Sequence, residues 1–314
     1  MNLAGVRKVV GIIALLLAFS SSALADRKEA IAELKQLGRP ITSEGFKYTC
    51  KAFDVGFHIN TNSDESRLPG EKRLINLMSL YLTVGEKGWT PSECLAWFID
   101  NEGSLSDANV VDFLLKSGAS ANYKRPNVPK PLTITPVLFT AASTRFFTQR
   151  TDLDHAIRSM KLMLDAGGDI NEPDNNYSLG KRYPINKIVE ATVFHKKQNN
   201  KKEYALMTDF IVYLIKHGAN VNAGIDSTNT PLASVLTSES FSPERTDVEL
   251  IKLLIANGAN VNAHVWYGNG ATTSRGGTLL AYAKEKGMAE IVDILTEHGA
   301  KETVPAKETP KKRK

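Results

Sequence analysis

Cysteine is scarce in this chain, since Cys50 and Cys94 are the only two. Two cysteines are too few for a cysteine-rich zinc domain or for the dense disulfide framework of a small secreted module. The six histidines do not stand at metal-ligand spacing, and no H-E-x-x-H segment occurs. We therefore predict that the protein has no metal site.

Catalytic motifs are also missing. The chain has no G-x-S-x-G segment to expose a nucleophilic serine, and no glycine-rich loop ahead of a lysine to hold phosphates. Pairs of Asp and Glu occur only on predicted helix surfaces, without an apolar pocket that would shift their pKa values. Neither cysteine has a nearby histidine in the sequence pattern that could activate it as a nucleophile. We predict that the protein is not an enzyme, has no cofactor and takes no small-molecule substrate.

Charge of one sign does not dominate, because 39 basic residues face 34 acidic ones and the formal net charge is +5. The excess lies at the ends: Arg7 and Lys8 add two positive charges and residues 301–314 add about four, which leaves about −1 between them. This distribution argues against a nucleic-acid-binding face. Residues 303–314 end in KKRK and contain no core residue, so we predict a disordered basic tail there.

Long hydrophobic runs are confined to the N-terminus. Residues 1–25 contain two basic residues, an apolar run from Val9 to Phe19 and an Ala-Leu-Ala ending. This order is typical of a cleavable secretory signal with a cut before Asp26. The alternative is a membrane anchor, which needs about 20 apolar residues. We predict a signal peptide, no stable membrane insertion and a periplasmic protein, with full secretion as the alternative location.

One short segment recurs along the rest of the chain. Residues 217–222 read HGANVN and residues 257–262 read NGANVN, with looser copies at 117–122 (SGASAN) and 166–171 (AGGDIN). Each copy follows an apolar stripe with helical spacing, and its glycine stands where a helix would end. Thr-Pro pairs before several of the helices supply a cap and a first turn. The sequence therefore predicts repeated helix-turn-helix units that must stack to bury their apolar faces.

The pattern resembles the ankyrin repeat. Thr230-Pro231-Leu232 nearly reproduces the T-P-L-H start of that family, and Gly258 to Asn262 its G-A-x-V-N finish. The resemblance covers about residues 38–302, and residues 34–46 (LKQLGRPITSEGF) resemble the opening of exported bacterial ankyrin proteins. It implies an all-α solenoid of about six units over residues 26–302.

The spacing of the units departs from the family pattern. The predicted helix-ending glycines lie 33, 49, 51, 40 and 41 residues apart, and only the first interval matches a period of about 33. They are Gly85, Gly118, Gly167, Gly218, Gly258 and Gly299. The other units therefore carry inserts. Among the polar stretches that we predict to be inserts or loops are residues 58–71 and 196–202.

The two cysteines lie on the first helices of adjacent predicted units. An oxidising compartment makes a Cys50–Cys94 disulfide plausible. In the ankyrin arrangement, however, neighbouring helices run about 10 Å apart, whereas a disulfide needs Cα atoms within about 7 Å. Two buried thiols therefore remain the alternative.

In ankyrin proteins the loops after each long helix project as fingers, and with the short helices they line a surface that binds a protein partner. The fingers of this chain would lie within residues 122–132, 171–183, 222–230 and 262–277. Their aromatic and basic residues are of the types enriched in interface hot spots and suggest a partner with acidic patches. The candidate binding residues are Tyr123, Lys124, Arg125, Tyr177, Lys181, Arg182, Trp266, Tyr267 and Arg275. The alternative is that these loops are simply polar and that Trp266 packs on a neighbouring unit.

These features favour a non-enzymatic periplasmic scaffold that binds another protein. One specific hypothesis is an immunity protein that covers the active site of an antibacterial effector toxin. A second is a stress or chaperone-like factor that supports another periplasmic enzyme, such as catalase. A third is a secreted ankyrin effector directed at a host.

Overall fold

The computed structural model describes residues 26–51, 64–100, 107–124, 147, 153–176, 180–224, 230–237, 247–267 and 275–302. Twelve helices lie in these ranges, and this part of the chain is mostly helical. The helices are α1 (26–36), α2 (Ser43–Cys50), α3 (Asp64–Val84), α4 (Pro91–Asp100), α5 (Ala108–Lys116), α6 (Leu153–Asp165), α7 (Pro184–Lys197), α8 (Lys201–Lys216), α9 (Pro231–Thr237), α10 (Val248–Ala256), α11 (Leu279–Glu285) and α12 (Ala289–Glu297). The predicted signal peptide and basic tail lie outside the described residues.

The helices form pairs, and the pairs form two rows. Helix α2 packs on α3, α4 on α5, α7 on α8, α9 on α10, and α11 on α12. The first helices of these pairs also touch one another: α2 contacts α4, α7 contacts α9, and α9 contacts α11. The second row runs through α3, α5, α6 and α8. Because every pair faces a neighbouring pair, the apolar residues form one continuous core between the rows.

Local caps explain where these helices begin. The Thr90 and Thr230 hydroxyls, predicted from the Thr-Pro pairs, accept hydrogen bonds from the amides of Glu93 at 3.1 Å and Ala233 at 3.3 Å. Asp107 and Asp247 cap α5 and α10 in the same way. Each oxygen satisfies an amide that has no partner within its helix, so the starts predicted from Thr90-Pro91 and Thr230-Pro231 are confirmed.

The predicted glycine stops are confirmed. All six glycines have a positive φ, for example 90° at Gly218 and 88° at Gly258. In that conformation the amide of Ala259 reaches back to the Leu254 carbonyl at 3.0 Å and closes the end of α10. A residue with a Cβ would be strained there, which is why glycine recurs at the end of unit after unit.

Asparagines link neighbouring units at four successive junctions, beginning with the unit that ends at Gly118. In every link the side-chain amide donates to the carbonyl of the next unit's stop glycine, and the side-chain oxygen accepts from the amide two residues later. The links are Asn122 to Gly167 and Asp169 at 2.7 and 2.7 Å, Asn171 to Gly218 and Asn220 at 2.8 and 2.8 Å, Asn222 to Gly258 and Asn260 at 3.0 and 2.7 Å, and Asn262 to Gly299 and Lys301 at 3.4 and 2.8 Å. We call this series the asparagine ladder.

Replacing Asn222 by alanine tests the ladder. We expect the free energy of unfolding to fall by about 1–2 kcal/mol, because two inter-unit hydrogen bonds are lost. Asn257→Ala is the matched control, since the Asn257 side chain bonds only to Leu253 of its own helix among the contacts described, at 2.8 Å. Urea unfolding should also become less cooperative in Asn222→Ala. An equal loss of stability in the two variants would contradict an inter-unit role.

The Cys50 and Cys94 side chains form a disulfide, and both residues are fully buried. Their Cα atoms are 5.0 Å apart, well below the separation expected for neighbouring helices in the ankyrin arrangement. The distance is short because the bond joins the last residue of α2 to the first turn of α4, where the two helices approach each other. Of the two alternatives left open by the sequence, the structure therefore contains the bonded one.

Two predicted finger loops differ from the all-α expectation because they form hairpins. Strand β1 (Asp174–Asn176) pairs with β2 (Gly180–Arg182), and β3 (His264–Tyr267) pairs with β4 (Arg275–Thr278), both antiparallel. These inserts are long enough for their backbone amides and carbonyls to pair with each other.

Two predicted loops are helical in part, so their predicted bounds were wrong, and residues 58–63 of the first lie outside the described residues. Residues 64–71 belong to α3, and of residues 196–202 only 198–200 connect α7 to α8. Lysine and glutamate are good helix formers, and a polar run can therefore extend a helix on its solvent side. Within the described ranges, no helix combines the length and the apolar character that crossing a bilayer requires.

Candidate partner-binding surface

Two of the predicted finger residues, Tyr123 and Lys124, contact other parts of the chain. The Tyr123 hydroxyl donates to the Glu93 carboxylate on α4, and its ring packs against the core. Lys124 forms an ion pair with Glu172, in the loop after α6. These contacts tie the loop after α5 to its neighbours on both sides, and a partner-binding role for the two residues stays a prediction.

The other candidates fall on hairpins or outside the described residues. Arg125 and Tyr177 lie outside them. Lys181 and Arg182 are in β2, where they pair with Asn175 and Asp174. In the second hairpin Trp266 pairs with Gly276 and Tyr267 with Arg275, so the backbone brings three of the predicted residues together. The side chains of these hairpin residues lie outside the described part of the structure.

A further cluster on the first two helical pairs was not predicted. We call Lys47, Tyr48, Lys51 and Trp97 the α2–α4 patch. The ammonium groups of Lys47 and Lys51 lie 4.6 and 4.7 Å from the centre of the Trp97 ring, which is cation–π distance. Tyr48 is 48% exposed, the highest value among the large hydrophobic side chains that the structure describes.

The helix period places these side chains. Phe46, Thr49 and Cys50 form the buried face of α2, which leaves positions 47, 48 and 51 toward the opposite side. On α4, Trp97 is only half-buried although its neighbours Ala96 and Phe98 are buried. The buried stripe of α2 follows the helical period and is therefore a local feature of the sequence. The contact of Trp97 with the two lysines depends on how α2 and α4 stack, and no short stretch of sequence indicates that arrangement.

A buried polar cluster joins three helices of the second row. Glu71 of α3 and Asp107, the cap of α5, are 8% and 4% exposed, and the Asn109 side chain donates to Glu71 Oε2 at 3.1 Å. Burial raises the pKa of Asp107, and the nearby Glu71 charge raises it further. Hydrogen bonds from the amides of Val110 and Asn109, and the charge of His155 on α6, oppose that rise. Because the cap bonds hold Asp107 in place, we interpret the cluster as structural.

Glu71→Gln should make the protein more stable at neutral pH, because it removes the like charge beside Asp107 and keeps an oxygen for Asn109. The folded-state pKa of Asp107 lies above its unfolded value, so this group lowers stability as the pH rises through the folded pKa. We expect the variant to gain about 1 kcal/mol at pH 7 and to lose that advantage near pH 4. Urea unfolding at several pH values measures both effects.

The control for that experiment is Glu249→Gln, because the Glu249 side chain is 77% exposed. We expect it to change stability by no more than about 0.5 kcal/mol, with little pH dependence. If Glu71→Gln were less stable than the unmodified protein at pH 7, the repulsion between the two carboxylates would not be the dominant effect.

The cap of α10 is buried with a different set of neighbours. The Tyr204 hydroxyl donates to Asp247 Oδ1 at 2.8 Å, and the Lys196 ammonium lies 3.9 Å from the same oxygen. Burial and the bond to Asp247 raise the pKa of Tyr204, so the tyrosine is protonated and donates at neutral pH. The negative charge of Asp247 is therefore stabilised by Lys196 and Tyr204 of the preceding pair of helices, whereas Asp107 faces the carboxylate of Glu71.

No group of three or more His, Cys, Asp or Glu in the described ranges is arranged to hold a metal ion. A scan of protein-family models and a search of curated proteins each found no match to this chain.

Proposed function

We propose that the protein is an exported, non-enzymatic scaffold of the ankyrin-repeat type that binds another protein. The observation that carries this proposal is the asparagine ladder. The same pair of hydrogen bonds recurs at four successive junctions, from Asn122 to Lys301. A repeated junction supports a stack of equivalent units, and such stacks expose extended surfaces suited to a macromolecular partner.

The contacts between helices support the same proposal. Among the described residues the more extensive helix contacts join neighbouring pairs, which fits a linear array, and the hairpins β1–β2 and β3–β4 follow α6 and α10. Loops held by a rigid framework commonly carry binding residues. Trp266, Tyr267 and Arg275 share one such hairpin, which is consistent with their proposed role in partner binding.

The specific role that we propose is that of an immunity protein, which would cover the active site of an antibacterial effector in the periplasm. The decisive experiment deletes the gene and grows the mutant beside its parent. We expect the parent to kill the mutant. Returning the intact gene to the mutant should restore its survival. Loss of activity of another envelope enzyme without killing would favour the chaperone-like alternative.

Binding itself is tested separately. The protein is expressed from its full gene, purified as the cell leaves it, and used to capture proteins from an envelope extract. We expect the protein to retain a single partner in a fixed molar ratio. The variant with Trp266→Ala and Tyr267→Ala in the second hairpin should no longer retain it. Turnover of a small molecule by the purified protein, with no protein retained, would overturn the proposal.

A further inference from the structure

The α2–α4 patch combines exposed aromatic surface with concentrated positive charge. Tyr48 exposes 48% of its surface on α2, and the two ammonium groups beside it share one indole ring on α4. Exposed tyrosine and tryptophan surface close to cations is a composition that recurs in interface hot spots.

The two lysines keep their charge in this arrangement. Contact with the ring face attracts an ammonium group without neutralising it, so the groups still attract carboxylates. The acidic side chain closest to Lys47 among the described ion pairs is Glu44, at 3.9 Å, and it is 85% exposed. An exposed pair at that distance is weak, and an incoming carboxylate can compete with it.

The disulfide fixes the two halves of the patch relative to each other. Cys50, the last residue of α2, directly precedes Lys51, and Cys94 stands one helical turn before Trp97 on α4. Both cysteines are fully buried, and their bond joins α2 and α4 covalently next to Lys51 and one turn from Trp97. A surface organised before binding loses less entropy when a partner arrives.

We propose that the α2–α4 patch binds an acidic segment of the partner protein. Two carboxylates of that segment would contact the ammonium groups of Lys47 and Lys51, and an apolar side chain between them would pack on Tyr48. This inference rests on the proposed scaffold function and adds to it the chemistry of the partner and a second contact region, distant in sequence from the predicted finger residues.

The test uses a fluorescein-labelled peptide with four glutamates around one phenylalanine, and measures its binding to the intact protein by fluorescence anisotropy. The double variant Lys47→Gln with Lys51→Gln should weaken binding about ten-fold. The matched control is Lys116→Gln with Lys252→Gln, which removes the same charge from α5 and α10. It should bind the peptide as the unmodified protein does. Added salt should weaken binding to the unmodified protein.

Charge reversal separates a specific patch from a folding defect. The variant Lys47→Glu with Lys51→Glu should prefer a peptide in which lysines replace the glutamates, which an unfolded patch would not do. Equal weakening by both pairs of glutamine substitutions, or no weakening by either, would overturn the proposal. If envelope capture of a partner survives Lys47→Gln with Lys51→Gln, this site fails and the scaffold function stands. If the unmodified protein captures nothing, the scaffold function fails.

Discussion

Removing the Cys50–Cys94 disulfide should lower the free energy of unfolding by about 4 kcal/mol. The bond closes a loop between residues separated by 44 positions, and a cross-link of that length restricts the unfolded chain by about this amount. The double variant Cys50→Ala with Cys94→Ala leaves the α2–α4 contact without its covalent link. Urea unfolding of the variant and of the unmodified protein, both without reductant, measures the difference.

The effect should be concentrated in the first two helical pairs. Hydrogen exchange should show faster opening of α2 and α4 in the variant, whereas α10 and α12 should keep their protection, because contacts in the array are made between neighbours. Reductant supplies an internal control, since it should destabilise the unmodified protein and leave the alanine variant unchanged. Equal urea midpoints for the oxidised protein and the alanine variant would contradict a stabilising cross-link.

Helix ends were the most predictable features of the fold. Gly218 and Gly258 were predicted from sequence because a positive φ is a local requirement that glycine meets best. Thr90 and Thr230 were predictable for a similar reason, since a cap oxygen reaches an amide only three residues away. Signals of this kind are contained in a few consecutive residues and do not depend on how the units stack.

Contacts between units were only half visible. The recurrence of asparagine at 171, 222 and 262 was evident, but its bonds to the next unit's glycine carbonyl span 36 to 47 residues. The cysteine pair shows the same limit, because the expected spacing of parallel helices concealed the close approach of the two helix ends.

The candidate site was the least predictable part. The sequence directed attention to finger loops, and it missed Lys47 and Lys51 because nothing local to α2 indicates that Trp97 lies above it. Residues 196–202 were misjudged for a different reason. Their composition suits a solvated loop and the solvent side of a helix equally well, so the periodicity of the flanking apolar residues decides between them.

Replacing His195 by alanine should cost about 3 kcal/mol, the second-largest effect that we expect. The His195 side chain is fully buried on α7, and its Nε2 lies 2.6 Å from the carbonyl oxygen of Phe147. A carbonyl only accepts, so Nε2 carries the proton and Nδ1 accepts from the Asn200 side chain at 3.3 Å. The ring therefore holds a residue 48 positions away, and its removal leaves both a cavity and a buried carbonyl without its donor.

Two further variants separate the hydrogen bond from the volume of the ring. His195→Gln can place an amide donor near the position of Nε2 and should recover about half of the loss, whereas His195→Phe fills the space without a donor and should recover less. His217→Ala is the matched control, because His217 is exposed at the end of α8 and bonds to the Tyr213 carbonyl of its own helix at 2.8 Å. It should cost about 0.5 kcal/mol. If His195→Phe proved as stable as the unmodified protein, the role of His195 would be packing alone, and the hydrogen bond to Phe147 would contribute nothing to stability.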